Sequence, residues 1–162
     1  MIMAQITIEY MILIPLLILQ IFLFPLTVGW IMNTWVASRR SLALKEAADY
    51  IGSSIQQMYF SLNHASISAG NLASKLDAPP FIEGHYYGGN ATIREVLEPD
   101  FNGSKILEIT LKLAELEITV SSAVTLGHNV EWYNSSFISN STTACVIGEK
   151  FPNGTILMHF GT

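Results

Sequence analysis

From Tyr10 to Ser38 the chain carries no charged residue, and Ile, Leu, Phe, Val and Met dominate. A helix rising about 1.5 Å per residue needs roughly 20 apolar residues to cross a bilayer, and this run of about 29 exceeds that. Glu9, the single charge before Arg39, stands at the entrance to the run. A carboxylate is costly in hydrocarbon, so its presence there points to a function; the favourable field at a helix N-terminus is the simpler account. Pro15 and Pro25 lie inside the run and each removes one helical hydrogen bond. Membrane helices tolerate this where neighbouring helices or waters satisfy the freed carbonyls. Gln20 is a second polar group, able to bond to a partner helix or within its own. Trp30 and Trp35 mark one interface and Tyr10 the other, as an aromatic belt requires.

Beyond Arg39-Arg40, apolar residues recur at alternating spacings of four and three. They are Leu44, Ala48, Ile51, Ile55, Met58, Leu62, Ala65, Ala69, Leu72 and Leu76. A heptad stripe of this length predicts that the helix continues with one long buried seam until Pro79-Pro80 stops it. Lys45, Glu46, Asp49, Gln56 and Gln57 fall off the seam. The seam can pack against the protein's own C-terminal part or against other copies. Gly52 and Gly70 each weaken the helix by roughly 1 kcal/mol relative to Ala, so either is a place for a break. Unbroken from about Gln5 to Leu76, such a helix would be on the order of 100 Å long.

From Phe81 the period changes. Residues 84–89 (Gly-His-Tyr-Tyr-Gly-Gly) read as a loop, and Thr92 to Leu97 as a short strand. Lys105 to Leu113 alternates, with Leu107, Ile109, Leu111 and Leu113 on one face, which predicts a half-buried strand. At Leu113-Ala114 the phase flips to Leu116, Ile118 and Val120, which a turn or bulge explains. A helix over 106–120 fits the same residues, but strand propensity favours β. Thr143 to Phe151 and Thr155 to Phe160 flank Pro152-Asn153-Gly154, a hairpin signal. The fold class expected is α+β, a long N-terminal helix followed by a small antiparallel β-rich head. Its segments are the apolar N-terminal helix up to 38; 39–78, an amphipathic continuation; and 79–162, the head.

Composition narrows the function. The mean hydropathy is +0.38, charged residues make up 13%, and the net charge is −5. From Pro79 onward four Lys or Arg face nine Asp or Glu, an acidic surface that excludes a basic nucleic-acid footprint. The single cysteine, Cys145, rules out an intrachain disulfide and reads as a small hydrophobe in a strand. His64, His85, His128 and His159 lack metal-ligand spacing, and Gly88-Gly89 is too little for a phosphate loop. No enzyme activity and no cofactor are expected.

Five Asn-x-Ser/Thr sequons fall in the head, at Asn90, Asn102, Asn134, Asn140 and Asn153. Asn102 and Asn153 are Asn-Gly pairs that turn chemistry alone explains. Asn90, Asn134 and Asn140 lack that explanation, and the Asn134 to Thr143 segment, rich in Ser, Thr and Asn, reads as an exposed loop. The clustering favours a glycosylated, extracellular surface. Arg39-Arg40 after the span would by the positive-inside rule put the head in the cytoplasm; the sequons argue the other way and are given more weight.

A cleaved secretory signal would have a basic beginning and an apolar run about half this length, neither of which is present, and no Ala-x-Ala site follows the run. Instead, Ala4, Gln5, Thr7, Glu9 and Tyr10 resemble the class III signal of archaeal type IV pilin-like proteins: a small residue, Gln, a hydroxyl residue two further on, Glu as fifth mature residue and an aromatic. The resemblance covers the first ~30 residues. It implies cleavage between Ala4 and Gln5 by a prepilin peptidase on the cytoplasmic side, which makes 1–4 a leader and 5–38 the apolar membrane and assembly helix, and pairing of Glu9 with the N-terminal amine of a neighbouring subunit. The chain departs from the pattern in having no Lys or Arg before the cleavage site. Pro15, six residues beyond Glu9, has the same offset in the tight-adherence pseudopilins, a close variant.

The expected function is therefore a structural subunit of an archaeal pilus-like surface filament, serving a role such as adhesion. Its partners are other copies or related pilins, the prepilin peptidase, and the membrane before assembly, with no nucleic acid. The precursor resides in the cell membrane and the product in an extracellular filament. The alternatives are a minor or tight-adherence-like pseudopilin, and an uncleaved single-span surface glycoprotein that binds a partner.

Overall fold

The structure, a computed structural model, describes residues 2–95 and 103–161, with side chains described from Tyr10 onward. The fold is α+β, as expected: among the described residues one helix, α1 (Ile2–Leu62), is followed by eight strands. The chain divides into two compact units, Met1–Arg39 and Arg40–Thr162.

In the first unit the chain is helical through both Pro15 and Pro25. Two of its hydroxyls are satisfied within the helix: Thr27 Oγ1 donates to the Phe24 carbonyl and Thr34 Oγ1 to the Trp30 carbonyl, both at 2.9 Å. The Arg39 guanidinium lies 5.4 Å from the centre of the Trp35 ring, a cation–π pair at the end of the apolar run.

The second unit is built from the last part of α1 and two four-stranded sheets. The strands are β1 (Gly70–Lys75), β2 (Tyr87–Glu95), β3 (Lys105–Leu113), β4 (Thr119–Leu126), β5 (Val130–Trp132), β6 (Ser136–Ile138), β7 (Cys145–Lys150) and β8 (Ile156–Gly161). One sheet runs β1-β7-β8-β5 and the other β4-β3-β2-β6. The alternation read in Lys105–Leu113 is realised, with Leu107, Ile109, Leu111 and Leu113 fully buried. The phase flip is a turn: the Leu113 amide donates to the Ile118 carbonyl, Glu115 takes φ 66°, and β4 then pairs antiparallel with β3 from Lys112↔Thr119 to Lys105↔Leu126. The hairpin around Pro152-Asn153-Gly154 forms between β7 and β8, in register from Cys145↔Gly161 to Lys150↔Ile156.

Three expectations are corrected. The helix ends at Leu62, not near residue 78, and Gly70–Lys75 is a strand paired with β7. The spacing that suggested a seam runs on through Ala65, Ala69 and Leu72, but these are exposed. Asn63, His64, Ser66 and Ser68 offer the backbone competing hydrogen bonds, which disfavours helix there. The His64 ring accepts from the Ser66 amide at 3.3 Å, and Lys150 Nζ donates to the His64 carbonyl. The second correction concerns 84–89. Glu83-Gly84 does turn, with φ 48° and 84°, but Tyr87, Gly88 and Gly89 already belong to β2, which runs to Glu95. Phe137 stacks where a side chain at Gly89 would lie: a Cβ there would stand 2.4 Å from its ring. Third, the head is not wholly antiparallel, because β5 pairs parallel with β8. The chain crosses from β5 to β6 in the other sheet and back to β7, so β5 reaches β8 without a hairpin.

The true seam of α1 is Leu44, Ala48, Ile51, Ile55, Met58 and Leu62, all buried in one cluster with residues of both sheets. Two glycines set the spacing. A Cβ at Gly52 would stand 2.8 Å from Val124 Cγ1 of β4, and one at Gly148 of β7 would stand 2.7 Å from Leu62 Cδ1. Both are below ordinary contact, so the missing side chains let helix and sheets close up. Trp132, Phe160, Phe137 and Tyr87 form a ladder across the two sheets, with ring centroids 5.0, 4.7 and 6.4 Å apart in turn.

Candidate functional site

The sequence places candidate chemistry in the apolar N-terminal run and on the sequon-bearing head surface, and each is described within its own unit.

The backbone of Ala4, Gln5 and Glu9 lies in α1; their side chains lie outside the described residues, so the expected cleavage site and the carboxylate have no described contacts. From Tyr10 to Trp35 the large apolar side chains of the run are exposed, from Val28 at 42% to Met11 at 75%. The helix is apolar on every side, which is how a membrane span or the centre of a helical bundle reads and not how a surface helix reads. It is the one helix among the described residues long and apolar enough to cross a membrane. This N-terminal apolar helix points to membrane association or secretion. Gln20 sits in a shallow cleft of about 390 Å³ with Leu17, Ile21, Phe24 and Pro25. The ring of Pro25 replaces an N–H that would bond to the Ile21 carbonyl.

In the head, Asn90 lies in β2 with its side chain exposed, and Asn134 and Asn140 are exposed on either side of β6. Pairing of β2 with β6 sets Asn90 opposite Ser136 and Gly88 opposite Ile138. The fold thus gathers three sequons that the sequence spreads over 51 positions, from Asn90 to Asn140. Asn153 is apart from them in the β7–β8 turn, where its Oδ1 accepts from the Thr155 amide at 3.0 Å. Asn102 lies outside the described residues.

A feature absent from the sequence reading joins helix to head. Ser122, buried in β4, donates its hydroxyl to Asp49 Oδ1 at 2.5 Å, and Lys45 Nζ stands 3.0 Å from the same oxygen. Lys45 also donates to the Ser121 carbonyl and Gln56 to the Thr125 carbonyl, so polar side chains of α1 cover the backbone of edge strand β4. The Ser122 hydroxyl, with help from the Lys45 ammonium, holds the Asp49 carboxyl below its usual value of 3.8. The Tyr87 hydroxyl donates to the Pro79 carbonyl at 2.8 Å, and burial pushes it up to about 12. An i,i+4 Lys–Asp pair was visible in the sequence, but Ser122, 73 positions on, was not.

The histidines are dispersed. His64 bonds Ser66, His85 lies 3.5 Å from the Glu115 carboxylate, His159 packs edge-on to Tyr133, and His128 is exposed. Among the described residues no three His, Cys, Asp or Glu side chains come together as metal ligands. Cys145 is half-buried at the start of β7.

No family model, curated protein or solved structure matches the chain. The architecture, a long apolar N-terminal helix followed by a two-sheet head, is consistent with a pilin-like subunit.

Proposed function

We propose that the protein is a structural subunit of an archaeal type IV pilus-like filament, cut between Ala4 and Gln5 and polymerised through its apolar helix, and that it is not an enzyme. The observation that carries this reading is the division of labour along α1. The head completes its own core with the face from Leu44 to Leu62, whereas the run from Tyr10 to Trp35 leaves its large apolar side chains exposed. Apolar surface on that scale needs a second phase or a second chain around it. Lipid supplies the first before assembly, and other copies or related pilins supply the second in the filament. Glu9 fits the transfer: a carboxylate at the apolar helix end finds its best partner in the new N-terminal amine of a neighbouring subunit. The minor-pilin and tight-adherence-like variants share this mechanism.

A specific observation favours a second reading, an uncleaved single-span surface protein. The Trp35–Arg39 cation–π pair, with Trp30, is the kind of anchor that holds a helix at a membrane interface. The N-terminal residue and intact mass of protein from cell surfaces separate the two. A chain starting at Gln5 is expected; one still carrying Met1 would favour the anchored protein. Glu9→Ala is expected to leave expression and membrane insertion intact while abolishing filament incorporation, scored by electron microscopy of cell surfaces. Normal filaments from that variant would sink the pairing role.

A further inference from the structure

The β2–β6 pairing leaves an open groove of about 430 Å³ on the solvent side of the sheet. Its lining includes Gly88, Asn90, Thr110, Lys112, Ser136 and Ile138. Gly88 has no side chain to fill the floor, and a Cβ there would meet nothing nearer than the Phe137 carbonyl at 3.6 Å. Lys112 stands across from Gly88 on β3 and Ile138 across from it on β6. Ile138 is 51% exposed, an unusual place for a large apolar side chain at the end of a strand. Asn90, two residues along β2 from Gly88, points its amide to the same side.

The geometry points to Asn90, Asn134 and Asn140 as one glycan-bearing face, with the first sugar on Asn90 lying in the Gly88 groove. This inference rests on the part of the proposed function that puts the head outside the cell, and on nothing about assembly. The occupant is set by covalent attachment, since Asn90 itself lines the groove. A pyranose has an apolar C–H face for Ile138 and hydroxyls for Thr110, Ser136 and the Lys112 ammonium, all of which line the groove. Modification forms a bond from Asn Nδ2 to the anomeric carbon of a lipid-phosphate-linked oligosaccharide. The carbon–oxygen bond to the phosphate breaks, the lipid phosphate leaves with the bonding pair, and the amide nitrogen gives up one proton. The strand register explains the grouping. Ser136 completes the Asn134 sequon and faces Asn90, while Asn140 follows Ile138 by two residues. At about 3.3 Å per residue, Asn134 and Asn140 stand no more than about 20 Å apart. Asn153 stands apart from this face, in the turn between β7 and β8 of the other sheet.

Mass spectrometry of the full chain from its native cells tests this, with Asn→Gln variants at positions 90, 134, 140 and 153. Each of the first three should lose the mass of one glycan. An unmodified Asn90, Asn134 or Asn140 overturns the assignment. Hydroxyl-radical footprinting tests the groove. Labelling of Ile138 should rise in Asn90→Gln and equally in Thr92→Ala, which removes the sequon while keeping Asn90, and stay unchanged in Asn153→Gln. Equal labelling of Ile138 in wild type and both sequon variants overturns the seating. The same intact-mass spectrum reads the N-terminus. A bare head on a chain starting at Gln5 overturns this inference and leaves filament assembly standing; a glycosylated head with Met1 retained does the reverse.

Discussion

The two parts of α1 are one helix under different rules. Between Tyr10 and Ser38 apolar residues surround the axis, with prolines at 15 and 25 and no charge. Between Arg40 and Leu62 the buried apolar residues form one stripe, and the remaining faces carry Lys45, Glu46, Asp49, Gln56 and Gln57 with the exposed Leu42, Tyr50 and Phe60. The second part is anchored by its stripe in the core and by polar side chains on β4. The first makes no such selection of faces, so its environment must be apolar on all sides. Periodicity, more than hydropathy, tells a helix that folds a domain from one that enters a membrane or a bundle.

The sharpest way to break this comparison is to truncate an equivalent large side chain in each part. Ile51 is fully buried in the head core, so Ile51→Ala should destabilise the head by about 2–5 kcal/mol, from lost transfer energy and the cavity left behind. Leu19, 59% exposed, should leave the melting of the head unchanged when replaced by Ala. Thermal unfolding of the full chain in detergent, followed by near-ultraviolet circular dichroism, reads both. Equal shifts would mean that the apolar run shares the head's core.

A charge reverses the ranking. Leu17→Arg should cost about 2.5–3.5 kcal/mol in membrane insertion if the residue lies near the bilayer centre. It should leave the folded head intact. The fraction of chain extracted by alkaline carbonate measures the first effect and protease resistance of the head the second. Unaltered membrane retention would argue against the run as a span.

How much of this was legible follows from what each signal depends on. The apolar run, the alternation of Lys105–Leu113 and the β7–β8 hairpin are local patterns, and each appears as read. The end of the helix was not, because Ala65, Ala69, Leu72 and Leu76 keep the spacing while leaving the helix; the clue was the polar run Asn63, His64, Ser66, Ser68, which a count of apolar positions ignores. The parallel β5–β8 pair depends on a crossover between sheets that no local window contains. The candidate site divides the same way. The sequons could be enumerated from the chain, but their gathering around β6 and the bare floor at Gly88 exist only after β2 and β6 pair. The Asp49–Ser122 bond likewise needs the helix docked on β4.

A smaller effect separates two glycines. Adding a methyl to Gly29 meets nothing within 4 Å, whereas at Gly52 it would stand 2.8 Å from Val124 and 3.4 Å from Ile109. Each Gly→Ala change favours helix by roughly 1 kcal/mol, but overpacking at Gly52 costs about 1–3 kcal/mol. Gly52→Ala should therefore lower the head's melting temperature modestly, and Gly29→Ala should not lower it. A head stabilised by Gly52→Ala would mean that the helix does not approach β4 as closely as the contact with Val124 requires.

The last effects are read through pH, and the smaller of them belongs to the docked part of the helix. Asp49 has its carboxyl lowered by the Ser122 hydroxyl and Lys45. A group whose folded pKa is depressed stabilises the fold above its unfolded value and loses that contribution as pH falls through the folded one. The window therefore begins near 3.8 and extends downward. Because the Asp49 side chain is 54% exposed, solvent screening keeps the effect small, on the scale of a surface pair. Tyr87 has the opposite sign. Its pKa is raised from 10.0 to about 12, so its contribution is complete below 10 and is lost as pH rises toward 12. Urea unfolding across both windows should show Asp49→Asn removing part of the acid-side slope and Tyr87→Phe part of the alkaline slope. An acid slope unchanged in Asp49→Asn would mean that the Ser122 bond does not form in solution, and with it would go one of the polar ties by which this half of the helix chooses a face.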